Sequence, residues 1–102
     1  MQQQITLIDA ILEDNGLTLE QLAALCAVQP EWLISHIEEG LLEPLPQQQK
    51  EWRFSSTSLL RVRRLVVLER DFEAVPELAA LVADMQEEID ALRRRLHRAG
   101  LE

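Results

Sequence analysis

Residues 18–44 carry the sequence TLEQLAALCAVQPEWLISHIEEGLLEP, which predicts two short helices joined by a tight turn. Thr18 and Gln21 have the spacing of a capping box, in which each side chain binds a free backbone amide at the start of the helix. Pro30 stands where the second helix would begin, because proline has no amide hydrogen to leave unsatisfied there. Gly40 is placed to end that helix in a left-handed conformation. Together these signals predict a helix-turn-helix.

Apolar residues recur at helical spacing in both segments and predict one buried side for each helix. The two sets are Leu19, Leu22, Ala23 and Cys26 in the first helix and Leu33, Ile34 and Ile37 in the second. Upstream, the pattern of residues 5–12 predicts a further short helix, and a strand at residues 4–8 is the alternative. Downstream, residues 41–45 and 52–54 predict two extended segments that pair as a small hairpin, or wing, around a polar loop at residues 47–51.

A third helix is expected to begin at Ser55 or Ser56 and to end near Glu73. Its predicted buried face contains Leu59, Leu60, Val62, Leu65, Val66, Leu68 and Phe72. The arginines at positions 61, 64 and 70 are expected to lie toward solvent. For the arginines at 61, 63 and 64, pairing within the helix with the acids at 69, 71 and 73 is favoured over binding of an acidic partner or nucleic acid.

The last segment has the clearest repeat in the chain. Pro76 begins the helix, and six apolar residues follow at spacings of 4, 3, 4, 3 and 4, namely Leu78, Val82, Met85, Ile89, Leu92 and Leu96. This seam of period 3.5 is typical of a coiled coil, and burying each large side chain contributes roughly 1.5–3 kcal/mol. We therefore expect a homodimer with the seam as its interface, formed by an antiparallel helix pair. The alternative is a helix that folds back on its own domain.

Charge is distributed unevenly along the 102 residues. The net charge is −8, and residues 1–60 contain nine acidic residues against only Lys50 and Arg53. Eight arginines are concentrated in two clusters, at residues 61–70 and 93–98. An acidic first half would repel the phosphate backbone of a nucleic acid, so it favours a basic protein surface as the partner.

The remaining features bear on compartment and chemistry. A single cysteine excludes an internal disulfide and indicates a reducing compartment. No basic region precedes the first apolar residues and no apolar run approaches about 18 residues, so we expect a cytoplasmic protein without a signal peptide or membrane span. Cys26 is interpreted as a small core residue, and neither His36 nor His97 has acidic or cysteine neighbours at ligand spacing. We expect no metal, no cofactor and no catalytic site.

The order of these parts resembles the MerR-like winged-helix family over residues 18–96, most specifically in PEWLISHIEEGLLEP at residues 30–44. Its shortness, its acidic helix-turn-helix and the Trp-Arg-Phe step at residues 52–54 are most similar to the chaperone-modulator branch of that family. The resemblance implies a mainly α protein, with a MerR-like winged helix-turn-helix domain at residues 1–74 and a C-terminal coiled-coil dimerisation helix at residues 75–102. It also implies a non-enzymatic, dimeric modulator that binds the J-domain of a DnaJ-like (CbpA-type) co-chaperone and inhibits its activity with Hsp70.

The sequence departs from the DNA-reading members of the family, which carry arginines on the second helix and in the wing. Here the side of that helix expected to be exposed has no basic residue, and we take it as the partner-binding surface: Glu31, Trp32, Ser35, Glu38 and Glu39. Carboxylates facing phosphates would be repelled, and no arginine is available there for base recognition. A DNA-binding transcription regulator that uses the wing and residues 61–64 is the alternative, and a structural adaptor that offers only its heptad helix is a third reading.

Trp32 has two interpretations within the proposed surface. As an exposed aromatic residue among acids it would be an anchor for a partner, because tryptophan is enriched at interface hot spots. Alternatively, it folds down over the N-terminal helix.

Overall fold

The computed structural model describes residues 16–46 and 50–100, and these residues form four helices. In chain order they are α1 (Leu19–Cys26), α2 (Pro30–Glu38), α3 (Ser56–Asp71) and α4 (Pro76–Arg98). The predicted mainly α fold class is confirmed. The short helix, or strand, expected within residues 4–12 and most of the polar loop expected at residues 47–51 lie outside the described residues.

The start of α1 is fixed by the predicted capping box. The Thr18 hydroxyl accepts a hydrogen bond from the Gln21 amide at 3.1 Å, and the Gln21 side-chain oxygen accepts one from the Thr18 amide at 2.8 Å. The helix ends at Ala27, which is left-handed with φ of 55°, an unfavourable conformation for a residue with a Cβ atom. Arg70 of α3 donates to the Ala27 carbonyl at 3.0 Å, and this contact helps to hold the turn between α1 and α2.

Both ends of α2 match the sequence prediction. Pro30 is its first residue. At the other end Gly40 has φ of +76°, its amide binds the Ile37 carbonyl at 3.0 Å, and the Leu41 amide binds the His36 carbonyl at 2.9 Å. These two bonds form a Schellman motif, which requires a left-handed residue that glycine adopts without strain. The chain thereby turns sharply toward the core.

The main core lies beneath the helix-turn-helix. Its largest fully buried side chains come from α1, α2, α3 and the segments before and between them: Leu17, Leu22, Leu33, Leu42, Phe54 and Val62. Phe54 is further fixed by two backbone hydrogen bonds of 2.9 Å with Leu17, one in each direction. This isolated antiparallel bridge joins the beginning of the described chain to the segment that leads into α3.

The predicted wing is wrong in one respect. A single backbone hydrogen bond, from the Leu45 amide to the Arg53 carbonyl at 2.7 Å, connects residues 41–45 with residues 52–54. The described residues form no strand. The reason is local, because Pro44 and Pro46 have no amide hydrogen with which to extend the ladder. Phe54 pairs with Leu17 instead.

Helix α3 is the hub on which α1 and α4 pack. Ser55 caps it by accepting the Ser58 amide at 3.2 Å, and Leu59, Val62 and Leu65 are buried as predicted. Two predictions for its buried face are wrong: Leu60 is 46% exposed and Phe72 is 72% exposed. Phe72 follows the last helical residue, so it leaves the helical face that the sequence pattern assigned to it.

Helix α4 packs on α3 through small residues. Ala79, Ala80 and Ala83 are buried and form a second core cluster with Leu65 of α3. Their short side chains let the two helix backbones approach closely. Because residues turn by about 100° along a helix, the heptad seam lies on roughly the opposite side of α4. Helix α4 therefore folds back on its own domain and still leaves most of the seam uncovered.

Candidate functional site

The exposed side of α2 carries the predicted acidic surface. Glu31, Ser35 and Glu38 fall on one stripe of the helix within about 60° of rotation, and Glu39 follows at its C-terminal cap. All four residues are exposed, and within the described residues none of the three carboxylates forms an ion pair. No lysine or arginine lies on this helix. The arrangement is a compact anionic surface on a rigid element.

Trp32 lies at the edge of this surface and points partly inward. Its side chain is half-buried and contacts both core clusters. Its ring stacks on the His36 ring with centroids 3.6 Å apart and an angle of 24° between the planes. Part of the indole remains accessible to a partner, and the stacked ring is held in place by the domain itself.

His36 is a buried residue that the sequence analysis missed. It is 5% exposed, its Nδ1 lies 2.7 Å from the Trp32 carbonyl, and its Nε2 lies 2.8 Å from Oε2 of Glu69. Glu69 belongs to α3 and is 33 residues away in the chain, so no local spacing could have indicated this pair. The contact attaches α2, and therefore the acidic surface, to the hub helix.

The arginines of α3 do not pair with the acids that follow them in the same helix, so the predicted pairing within the helix is wrong. Arg61 donates to Asp84 and Glu87 of α4 at 2.8 Å each, and its Nε donates to the Leu41 carbonyl at 2.8 Å. Arg64 binds Asp90 of α4 at 2.6 Å. The predicted solvent exposure is wrong for Arg61 and Arg64, whose side chains are only 15% and 22% exposed, and is right for Arg70.

These ion pairs change what both helices can offer to a partner. Burial disfavours the charge of Arg61, but the hydrogen bonds that it donates to Glu87 and Asp84, together with the negative charges of these two carboxylates, outweigh burial and raise the pKa of the guanidinium. The guanidinium of Arg61 is therefore bound to carboxylates of α4 and would have to leave them before it could bind a phosphate. By the same contacts, much of the acidic middle of α4 is neutralised within the chain.

The outward side of α4 is apolar and its C-terminal end is basic. Of the six predicted seam residues Val82 is half-buried, and the other five are between 44% and 58% exposed: Leu78, Met85, Ile89, Leu92 and Leu96. The arginines at 93, 94, 95 and 98 are also exposed, and none forms an ion pair with residues 16–46 or 50–100. Within the part of the chain that the structure describes, α4 thus presents an exposed apolar seam beside arginines that form no ion pair.

The described part of the chain contains no cluster of three or more histidine, cysteine, aspartate or glutamate side chains arranged to hold a metal ion. Cys26 is buried, and burial raises the pKa of its thiol despite the opposing influence of Arg63. Among residues 16–46 and 50–100, no helix has the length and apolar character needed to cross a membrane.

A capped helix-turn-helix, a supporting third helix and a long amphipathic last helix define a helix-turn-helix protein whose second helix is acidic. The family described as MerR HTH family regulatory protein matches residues 17–99, and the chain belongs to this family. It is also similar to the chaperone modulatory protein CbpM of Pseudomonas entomophila, with 32% identity over 66 residues. That alignment covers 65% of this chain and 65% of the length of the relative. No solved structure matches the chain significantly.

Proposed function

We propose that this protein is a non-enzymatic, cytoplasmic chaperone modulator that binds the J-domain of a DnaJ-like (CbpA-type) co-chaperone and inhibits its work with Hsp70. The observation that carries the proposal is the exposed anionic stripe of Glu31, Glu38 and Glu39 on a helix without basic residues. A J-domain presents a basic helix toward Hsp70, so an acidic surface of this kind would compete for it. The similarity to a chaperone modulatory protein supports the same class of function.

The stripe can be tested by charge reversal. The triple variant Glu31→Lys/Glu38→Lys/Glu39→Lys should weaken binding to an isolated J-domain by at least about tenfold and make the remaining binding less sensitive to salt. Isothermal calorimetry at two salt concentrations measures both effects. Unchanged affinity in this variant would exclude α2 as the binding surface.

A matched control separates local contact from net charge. The variant Glu20→Lys/Glu43→Lys/Glu51→Lys changes the net charge equally, and these three residues are also exposed. Glu20 lies in the first turn of α1 as Glu31 lies in the first turn of α2, so both variants lose a similar helix-dipole interaction. The control should retain most of the affinity, because only the stripe is proposed to touch the J-domain.

The proposed modulator is a homodimer, with α4 as its dimerisation element beyond residue 75. The exposed seam supports this arrangement, because a contiguous apolar surface on one side of a long helix is unfavourable in water. Sedimentation equilibrium should give twice the chain mass, and Met85→Lys/Ile89→Lys should give a folded monomer. A wild-type chain that stays monomeric at high concentration would rule the dimer out.

The family also contains regulators, so DNA binding is the alternative function. It would require Arg61 and Arg64 to leave their carboxylate partners, and α2 would place three glutamates against phosphates. A duplex DNA titration distinguishes the two functions, because DNA binding predicts affinity that falls steeply with salt. We expect no binding above the nonspecific level.

A further inference from the structure

A groove lies between α3 and the N-terminal part of α2, on the side of α2 that carries Trp32. Its volume is about 280 Å³, and its apolar lining consists of Ala27, Val28, Trp32 and Val66. Helix α2 packs on α3 much less closely than α1 and α4 do, so the space between α2 and α3 stays open. Val28, Trp32 and Val66 contact the main core but are only partly buried. The groove therefore exposes apolar surface that the described part of the chain does not cover.

Two polar contacts connect the walls of the groove. Arg70 of α3 donates to the Ala27 carbonyl at 3.0 Å, and Glu69 of α3 contacts Nε2 of His36 at 2.8 Å. His36 in turn stacks on Trp32, with the ring centroids 3.6 Å apart. The groove is therefore formed before any partner binds, and a partner that docks in it loses little affinity to the ordering of its walls.

The size and polarity of the groove indicate what it can hold. Pockets for small-molecule ligands occupy about 300–1,000 Å³ and enclose most of the ligand, whereas this groove is smaller and open to solvent. The charged residues in its lining, Glu69 and Arg70, already bond to His36 and to the Ala27 carbonyl. The lining therefore suits one large apolar side chain that projects from the surface of another protein.

The two sides of the groove differ in the sign of their charge. On α2, Ser35 and Glu39 follow Trp32 by about one and two helical turns, so the anionic surface of α2 adjoins the groove. On α3, the exposed Arg70 lies at the opposite wall. A partner helix is therefore favoured when its cationic side chains point toward α2 and an apolar side chain points into the groove.

We propose that the groove between α2 and α3 binds a large aliphatic or aromatic side chain of an amphipathic, basic helix, whose lysine or arginine side chains contact Glu31, Glu38 and Glu39. This inference rests on the proposed function, because the helix is taken to belong to the J-domain. It extends the interface from the exposed side of α2 to Val66 of α3, which the sequence analysis assigned to a buried face. An apolar side chain in a pocket contributes mainly to affinity, whereas exposed charges contribute mainly to specificity and the rate of association.

The contact can be observed directly in the complex with an isolated J-domain. This chain is uniformly ¹³C-labelled and the J-domain is unlabelled, so filtered NOE spectra detect only contacts between the two proteins. We expect contacts from the methyl groups of Val28 and Val66 to an apolar side chain of a J-domain helix. Contacts confined to Glu31, Ser35 and Glu38 would overturn the inference and leave the proposed function intact.

Two variants at adjacent valines provide an independent measurement by isothermal calorimetry. Val66→Gln places an amide in the groove and should raise the Kd for the J-domain by at least about fivefold. Val67→Gln is the matched control, because Val67 is 46% exposed and does not line the groove, and it should change the Kd by less than about twofold. Circular dichroism checks that both variants are folded. A folded Val66→Gln chain with wild-type affinity would overturn the inference.

The outcomes separate this inference from the proposed function. If the triple charge reversal on α2 weakens J-domain binding and Val66→Gln does not, only the role of the groove is overturned. A wild-type chain that binds no J-domain overturns the inference and the proposed function together. In the free protein, NOE contacts from Val66 to a second, unlabelled copy of this chain would assign the groove to self-association and also overturn the inference.

Discussion

The helix-turn-helix and the α3–α4 hairpin are stabilised in different ways. The first encloses large side chains such as Phe54, Leu22 and Leu33, all fully buried. The second joins two helices through Leu65, three alanines and a row of arginine–carboxylate pairs. Helix α4 packs on α3 through its small alanines, so its large apolar side chains lie on the exposed side of the helix. One region thus completes its core alone, whereas the other retains a surface suited to association.

The two phenylalanines of the chain give the largest expected contrast between these regions. Phe54→Ala should lower the free energy of unfolding by about 3–5 kcal/mol, because it opens a cavity in the main core. Phe72→Ala should lower it by less than about 0.5 kcal/mol, since that ring is mostly in water. Urea denaturation measures both. A larger loss for Phe72→Ala that grows with protein concentration would place this ring in the dimer interface.

The contact between His36 of α2 and Glu69 of α3 joins the two regions, and its loss should have the next largest effect on the free energy of unfolding. His36→Ala removes both ring hydrogen bonds and leaves Glu69, which is 15% exposed, without its partner. We expect a loss of about 2–3 kcal/mol in the free energy of unfolding. In the double variant His36→Ala/Glu69→Ala part of this loss should be recovered, because no unpaired carboxylate remains. Equal losses in the two variants would mean that the pair contributes little beyond packing of the imidazole.

The polar contacts between α3 and α4 should contribute less to the free energy of unfolding than the main apolar core does. Arg61→Met keeps most of the side-chain packing but removes the bonds to Leu41, Asp84 and Glu87, so we expect a loss of about 1–2 kcal/mol. Asp84 is 61% exposed and returns to water at little cost. Arg93→Met, at a free arginine, is the control and should be nearly neutral. A loss as large as that of Phe54→Ala would contradict the comparison.

The smallest expected effect concerns Cys26 of the main core. Burial raises the pKa of the folded thiol above its unfolded value of 9.0, so the folded state disfavours the thiolate. This contribution is fully present below pH 9 and is lost as the pH rises through the folded pKa. Thiol reagents at pH 8 should therefore label the native chain much more slowly than the urea-unfolded chain. Equal labelling rates would show that this part of the core opens readily.

Local signals explain why the helix-turn-helix was largely predictable. The capping box at Thr18, the first-turn Pro30 and the terminal Gly40 act within a few residues of themselves, so their effects can be deduced from spacing alone. The same holds for the Ser55 cap and for the exposure of Glu31, Ser35 and Glu38. Each of these features depends on local backbone geometry, which does not change with the tertiary contacts around it.

Most of the errors originate in contacts between distant residues, whereas the wing has a local cause in Pro44 and Pro46. Arg61 and Arg64 have acids nearby in sequence, but the α3–α4 turn brings other carboxylates closer. The Nδ1 atom of His36 has a local partner in the Trp32 carbonyl, but its Nε2 atom contacts Glu69 of α3, which is distant in the sequence. The exposure of Leu60 and Phe72 depends on where α4 lies and where α3 ends, which helical periodicity does not specify.

The amino-acid sequence was enough to predict where these helices begin and end, that α2 is anionic, and that α4 carries an apolar seam. These properties follow from capping, turn chemistry and periodicity, which are local. The folded arrangement alone determined which face of α4 packs within the chain, because that choice depends on the close approach that its alanines allow. It also decided which charges remain free, since an ion pair forms where folding brings two side chains together.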